Sequence, residues 1–233
     1  MSDPAAPDLK QEIAHNLAVV RGRIDAAARA VGCNPADVTL IAVSKTQPIE
    51  RIRAALEAGH RCFGENRVQE AQSRWPALRA EFPGIELHMI GHLQTNKAAE
   101  AVALFDVIQT VDRPKLARLL AQEMAKQSRR PRCFVEVNTG EEPQKGGVAP
   151  GAAEGLVRQC AAEFGLDVRG LMCIPPAEDN PAPHFALLAD LAKRCGLAGV
   201  SMGMSADYEI AVRLGATHVR VGTAIFGARP GLQ

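Results

Sequence analysis

Tyrosine and tryptophan occur once each, at Tyr208 and Trp75, and aromatic residues make up only 4% of the 233-residue chain. Charge of one sign is also missing, because 27 Lys and Arg face 26 Asp and Glu for a net charge of +1. That balance removes any global electrostatic reason to expect a nucleic acid or an anionic membrane as partner. No run approaches the roughly 18–20 consecutive apolar residues of a membrane span. The N-terminus, MSDPAAPDLK, lacks the basic-then-apolar pattern of a secretion signal, so a cytoplasmic location is expected. The six cysteines (Cys33, Cys62, Cys133, Cys160, Cys173 and Cys195) form no C-x-x-C pair, which argues against a zinc knuckle or a dithiol redox motif. They read as reduced, mostly buried small hydrophobes.

With 47% apolar residues and no low-complexity block, the chain can bury one sizeable core. A short tail, residues 1–8, precedes a domain spanning 9–233. Leu9 to Val31 reads as an amphipathic helix carrying Ile13, Leu17, Val20 and Ile24 at three- and four-residue steps. From there one unit recurs: an apolar run, a polar or glycine-bearing loop, and a helical pattern. The runs are 38–45, 61–66, 86–91, 106–111, 132–140, 167–174, 197–205 and 218–227. Continuous apolar strands alternating with helices indicate a parallel sheet covered by helices. Eight such units predict a single closed (β/α)₈ barrel of the α/β class with an extra N-terminal helix. An open doubly wound sheet would carry a glycine-rich loop after its first strand, and here that loop is Ser44-Lys-Thr-Gln-Pro48.

Alternate residues of a barrel strand point inward and outward. In the eighth run Val219 and Val221 suit the helix layer, which sends His218, Arg220 and Gly222 inward. A guanidinium inside a barrel is costly unless it meets an acceptor, so Arg220 needs a partner. Lys45 shares its parity with Ile41 and Val43 and falls at the C-terminal end of the first strand, where barrels build their sites. Gly222 and Thr223 end the eighth strand, and Ser205 ends the seventh at an expected helix N-cap. Loops after strands seven and eight are the recurrent phosphate corner of barrels. Closure makes strands eight and one neighbours, so a lysine faces that corner. This is the layout for a bound pyridoxal phosphate.

Other motifs lead nowhere. His88 and His92 are four apart but straddle a strand end and do not meet the H-E-x-x-H zinc pattern, so no metal site is expected. The stretch 140–147 lacks the Lys-Ser/Thr step of a Walker loop and reads as a long loop after strand five, covering the site. The basic run 126–132 reads as a solvated loop. Glu136 and Asn138 share a parity and suit either a polar core or the surroundings of a cofactor.

The stretches LIAVSKTQP (40–48), FGENRVQE (63–70), HMIGHLQTNK (88–97), SMGMSADYEIAV (201–212) and VRVGTAIFGAR (219–229) resemble the YggS/PROSC family of pyridoxal 5′-phosphate-binding proteins over nearly the full length. The resemblance implies a barrel similar to the N-terminal domain of alanine racemase. It also implies a Schiff base on Lys45, Arg220 at the pyridine nitrogen, Ser205, Gly222 and Thr223 at the phosphate, and Asn66 beside the cofactor. Arginine does not release its proton, so the ring would be a poor electron sink.

Two readings follow, a non-catalytic carrier active in cofactor homeostasis and an amino-acid racemase. Racemisation needs a second acid/base, which alanine racemase takes as a tyrosine from a separate C-terminal domain. This chain stops six residues after Gly227, and its one tyrosine is expected to pack its ring in the helix after strand seven with its hydroxyl in solvent. Both points favour the carrier, a monomer that passes pyridoxal phosphate to cofactor-free enzymes, with no catalytic residue of its own.

Overall fold

The computed structural model describes residues 8–228. Helix α1 (Leu9–Ala30) comes first, its N-terminus capped by the Asp8 carboxylate, which accepts from the Lys10 amide. Its face of Ile13, Leu17, Val20, Ile24, Ala27 and Ala28 is buried, as the helical period predicts. Eight strands follow: β1 (Thr39–Val43), β2 (Cys62–Glu65), β3 (Glu86–Met89), β4 (Val107–Val111), β5 (Arg132–Glu136), β6 (Val168–Met172), β7 (Gly199–Ser201) and β8 (His218–Val221). Each lies inside the run that predicted it. All neighbours are parallel, and β8 pairs with β1 (Thr39 beside His218, Ile41 beside Arg220), closing the barrel in chain order. Closure leaves no strand edge open.

The helices after the strands are α2 (Ile49–Glu57), α3 (Val68–Glu81), α4 (Ala98–Leu104), α5 (Pro114–Gln127), α6 (Ala153–Arg158), α7 (Pro181–Arg194), α8 (Tyr208–Arg213) and α9 (Thr223–Phe226). Outward strand residues such as Leu40, Phe63, Leu87, Val219 and Val221 pack with helix residues such as Leu56, Trp75 and Leu188 in one continuous core. The barrel interior holds a second, small apolar group of Val107, Phe134 and Met172. Phe134 fits because its neighbours carry no side chain. A Cβ on Gly199 would lie 2.9 Å from the Phe134 ring and 2.6 Å from the Arg169 carbonyl. Much of the remaining interior is polar, including His88, Gln109, Ser201 and Arg220.

Two local expectations change. The helical pattern that follows the fifth run is α-helical only to Arg158 and continues as a π-turn over Gln159–Glu163. Ser205 does not cap α8, which starts at Tyr208 with Asp207 at its N-cap. The Asp207 carboxylate instead accepts from the Met204 amide, 2.6 Å away, and the turn frees the Ser205 hydroxyl for another partner. The expected domain limits of 1–8 and 9–233 extend beyond the described residues at both ends.

Candidate functional site

The turn that follows β1 presents Lys45 and is fastened to α3. Thr46 adopts a left-handed φ of 61°, unusual for a residue with a branched side chain. Its amide donates to Glu70 Oε1 (2.6 Å), and its hydroxyl donates to the Lys45 carbonyl (2.6 Å). Arg74 pairs with Glu70 and donates to the Gln47 carbonyl (3.1 Å). Beneath the turn, Glu65 is fully buried and accepts from Ser44 Oγ (2.7 Å) and Trp75 Nε1 (3.0 Å). Burial raises the Glu65 pKa, while the charge of Arg74, the two hydrogen bonds and the charge of Lys45 oppose that rise. A buried carboxylate thus stands behind the lysine.

The facing wall comes from β7 and β8. Arg220 is 3% exposed and, as its burial required, has acceptors: Nη1 donates to Ser201 Oγ and Nη2 to the Cys173 carbonyl, both at 2.7 Å. Burial pulls the guanidinium's pKa down, and the charges of Glu136 and Asp207 act in the other direction. Ser205 Oγ accepts from the amides of Gly222 (3.2 Å) and Ala224 (3.5 Å), tying the β7 loop to the start of α9. At Gly222 the chain passes close to β1, since a Cβ there would lie 3.3 Å from the Val43 carbonyl.

Between these walls lies a cavity of about 290 Å³ at the C-terminal mouth of the barrel. Lys45, Asn66, Ser205, Arg220, Gly222 and Thr223, the residues singled out from the sequence, all line it. Val43, Gln47, Ile90, Ile174, Met204 and Ala206 complete the lining. Of the apolar members, Val43, Ile90, Met204 and Ala206 fall inside the stretches that carry the family resemblance and Ile174 does not, and Val43 also shares the parity of Lys45.

The remaining candidates fall elsewhere. Asn138 staples its own loop, donating to the Glu142 carbonyl (2.8 Å) and accepting from the Glu142 amide (3.2 Å). Glu136 is buried in the upper barrel; burial and the nearby Asp112 raise its pKa to about 7, against the pull of Arg220. Tyr208 packs its ring in the core on α8, and it lies outside the cavity lining. His88 is fully buried, whereas His92 is exposed and faces Asp112 at 3.7 Å. On the barrel floor Cys62, Glu86 and His88 bring three ligand-type atoms within 4.8 Å of one another. Both Glu86 oxygens there already accept, one from His88 and the other from Arg132.

A family model described as the alanine racemase N-terminal domain matches residues 10–230. The pyridoxal phosphate homeostasis protein of Pseudomonas aeruginosa is 42% identical, covering 93% of this chain and 96% of that protein. This chain belongs to the pyridoxal phosphate homeostasis protein family. The Escherichia coli K12 member is 38% identical over 94% of this chain and 97% of its own. PipY of Synechococcus elongatus, solved with pyridoxal phosphate bound, is 37% identical over 92% of this chain and all of that one, with a TM-score of 0.79. Alanine racemase from Corynebacterium glutamicum, 22% identical, covers 96% of this chain and 63% of the racemase with a TM-score of 0.67, a likeness of fold.

Proposed function

We propose that this chain binds pyridoxal phosphate in the cavity between β1, β7 and β8 and serves cofactor homeostasis as a carrier without dedicated catalysis. One observation carries the reading: a strand-end lysine, a buried arginine and a corner of hydroxyl and backbone amides line the same small cavity. The donor set fits the group. Lys45 offers a primary amine, Arg220 a fixed cation for the ring nitrogen, and Ser205, Gly222 and Thr223 a narrow polar corner for the phosphate. Pyridoxal phosphate supplies an aldehyde that condenses with a primary amine and a pyridine ring that withdraws electrons when protonated.

The chain's own residues determine how that chemistry is used. Lys45, half-buried at the cavity, offers the primary amine that would condense with the aldehyde. Arg220 holds its protons and so leaves the ring nitrogen unprotonated, which weakens the case for carbanion chemistry. Among the described residues the cavity lining contains no Asp, Glu, His, Cys or Tyr to act as a second acid or base beside Lys45. That composition supports a carrier over a racemase.

Purified protein given pyridoxal phosphate is expected to gain visible-range absorbance that Lys45→Ala abolishes. A wild-type protein that stays colourless sinks the reading. Turnover of alanine and other amino acids is expected to be negligible, and racemase-like rates would reverse the class. We further infer a cytoplasmic monomer that hands its cofactor to cofactor-free enzymes. Six free thiols support the compartment, and only four large hydrophobics are exposed among the described residues, which supports the monomer. Light scattering tests the monomer. Transfer to an acceptor apo-enzyme, with a trap for free cofactor present, tests the hand-over.

A further inference from the structure

The polar groups inside the barrel run in single file from mouth to floor. Arg220 Nη1 donates to Ser201 Oγ (2.7 Å), Ser201 Oγ donates to Gln109 Oε1 (2.6 Å), and Gln109 Nε2 lies 2.8 Å from His88 Nδ1. His88 Nε2 lies 2.7 Å from Glu86 Oε1, and the other Glu86 oxygen accepts from Arg132. Ser201, Gln109 and His88 are each fully buried, so solvent offers none of them an alternative partner.

The two ends set the direction of every bond between them. A guanidinium only donates, so Ser201 Oγ accepts from Arg220 and must place its own hydrogen elsewhere. Gln109 Oε1 takes that hydrogen, which turns the amide nitrogen toward His88 Nδ1. His88 then accepts at Nδ1, carries its proton on Nε2 and donates it to the Glu86 carboxylate. Turning the Gln109 amide over would aim two donors at Ser201 and strand a buried hydroxyl hydrogen. It would also call for a proton on His88 Nδ1, in addition to the one that Nε2 gives the Glu86 carboxylate. No member of the file can reverse alone.

We propose that Gln109 and His88, neither of which lines the cavity, are positioning residues for Arg220. Through Ser201 they fix the plane in which the guanidinium meets the ring nitrogen of bound pyridoxal phosphate. The inference rests on the reading that Arg220 faces that nitrogen.

The experiment compares wild type, Gln109→Leu, Gln109→Glu and Arg220→Ala by absorbance and affinity for added pyridoxal phosphate, with circular dichroism as a folding control. Leucine removes the acceptor for Ser201, and it is expected to shift the visible band and weaken affinity about tenfold. Glutamate keeps that acceptor and meets His88 Nδ1 once that nitrogen takes up a proton, so band and affinity are expected to return toward wild type, a rescue that a filler of space would not show. Nitrogen-15 NMR of the wild type without added cofactor is expected to show His88 protonated at Nε2 and unprotonated at Nδ1. This last readout stands even where Gln109→Leu does not fold. A folded Gln109→Leu with unchanged band and affinity, or a proton on His88 Nδ1, overturns the proposal. Should Arg220→Ala also leave band and affinity unchanged, the assignment of Arg220 to the ring fails as well. A change in Arg220→Ala alone would sink only the positioning role.

Discussion

Glu136 is a carboxyl buried beside another carboxylate, and one of its oxygens has no hydrogen-bond partner. Its pKa of about 7 in the folded barrel lies above the ordinary 4.5, so the native state keeps a proton that the unfolded chain has released. Stability from this group is therefore present below pH 4.5 and is lost as pH rises toward 7. Glu136→Gln is expected to remove that loss. Urea denaturation at pH 5 and pH 8 should show the variant gaining on the wild type at the higher pH, by at most about 3 kcal/mol. An equal difference at both values would contradict it. Parity alone directed Lys45, Arg220 and Gly222 inward. Nothing local marked Gln109 or His88 as partners of Arg220, because Ser201 and Gln109 are 92 residues apart and meet only once the barrel fixes their heights.

The repeating strand and helix units were legible because continuous apolar runs and 3.6-residue periods are local signals. Their ends were less so. Helix α7 begins at Pro181, where Asn180 caps it by accepting from the Ala182 amide (3.1 Å) and proline in the first turn forfeits no intrahelical bond. The glycines of β6 and β7 also escaped notice: their value lies in what sits on them. A Cβ on Gly170 would lie 2.2 Å from the Gly199 carbonyl and 2.5 Å from the Phe134 ring. The carbonyls of a barrel strand cannot swing aside, so Gly199→Ala is expected to cost about 1–3 kcal/mol. Chemical denaturation reads that loss, and a variant as stable as wild type would show that Phe134 has room to move.

At the scale of the whole molecule, α1 is joined to the site it does not line. Asn16 Nδ2 donates to the Ile225 carbonyl (2.9 Å), and Arg51 of α2 donates to the Phe226 carbonyl (2.6 Å), so α9 is held from outside the barrel. The cavity is lined from the ends of β1, β2, β3, β6, β7 and β8, and a ligand seated there is expected to bind only the closed barrel. Pyridoxal phosphate at a hundredfold excess over its Kd is expected to add about 2.7 kcal/mol to unfolding stability. Lys45→Ala should lose most of that gain, as thermal melts with and without cofactor would show; an equal gain in the variant would place the stabilising contact elsewhere.

The pairing of β8 with β1 has a consequence in time. Lys45 emerges from the ribosome long before Arg220, and loops that join the first strand to the last are the slowest to close. A growing chain can carry seven finished strands and still hold nothing. On the proposed site, cofactor capture is expected only once β8 has closed on β1, and a chain truncated before β8 would keep its lysine but lack the opposite wall of the cavity.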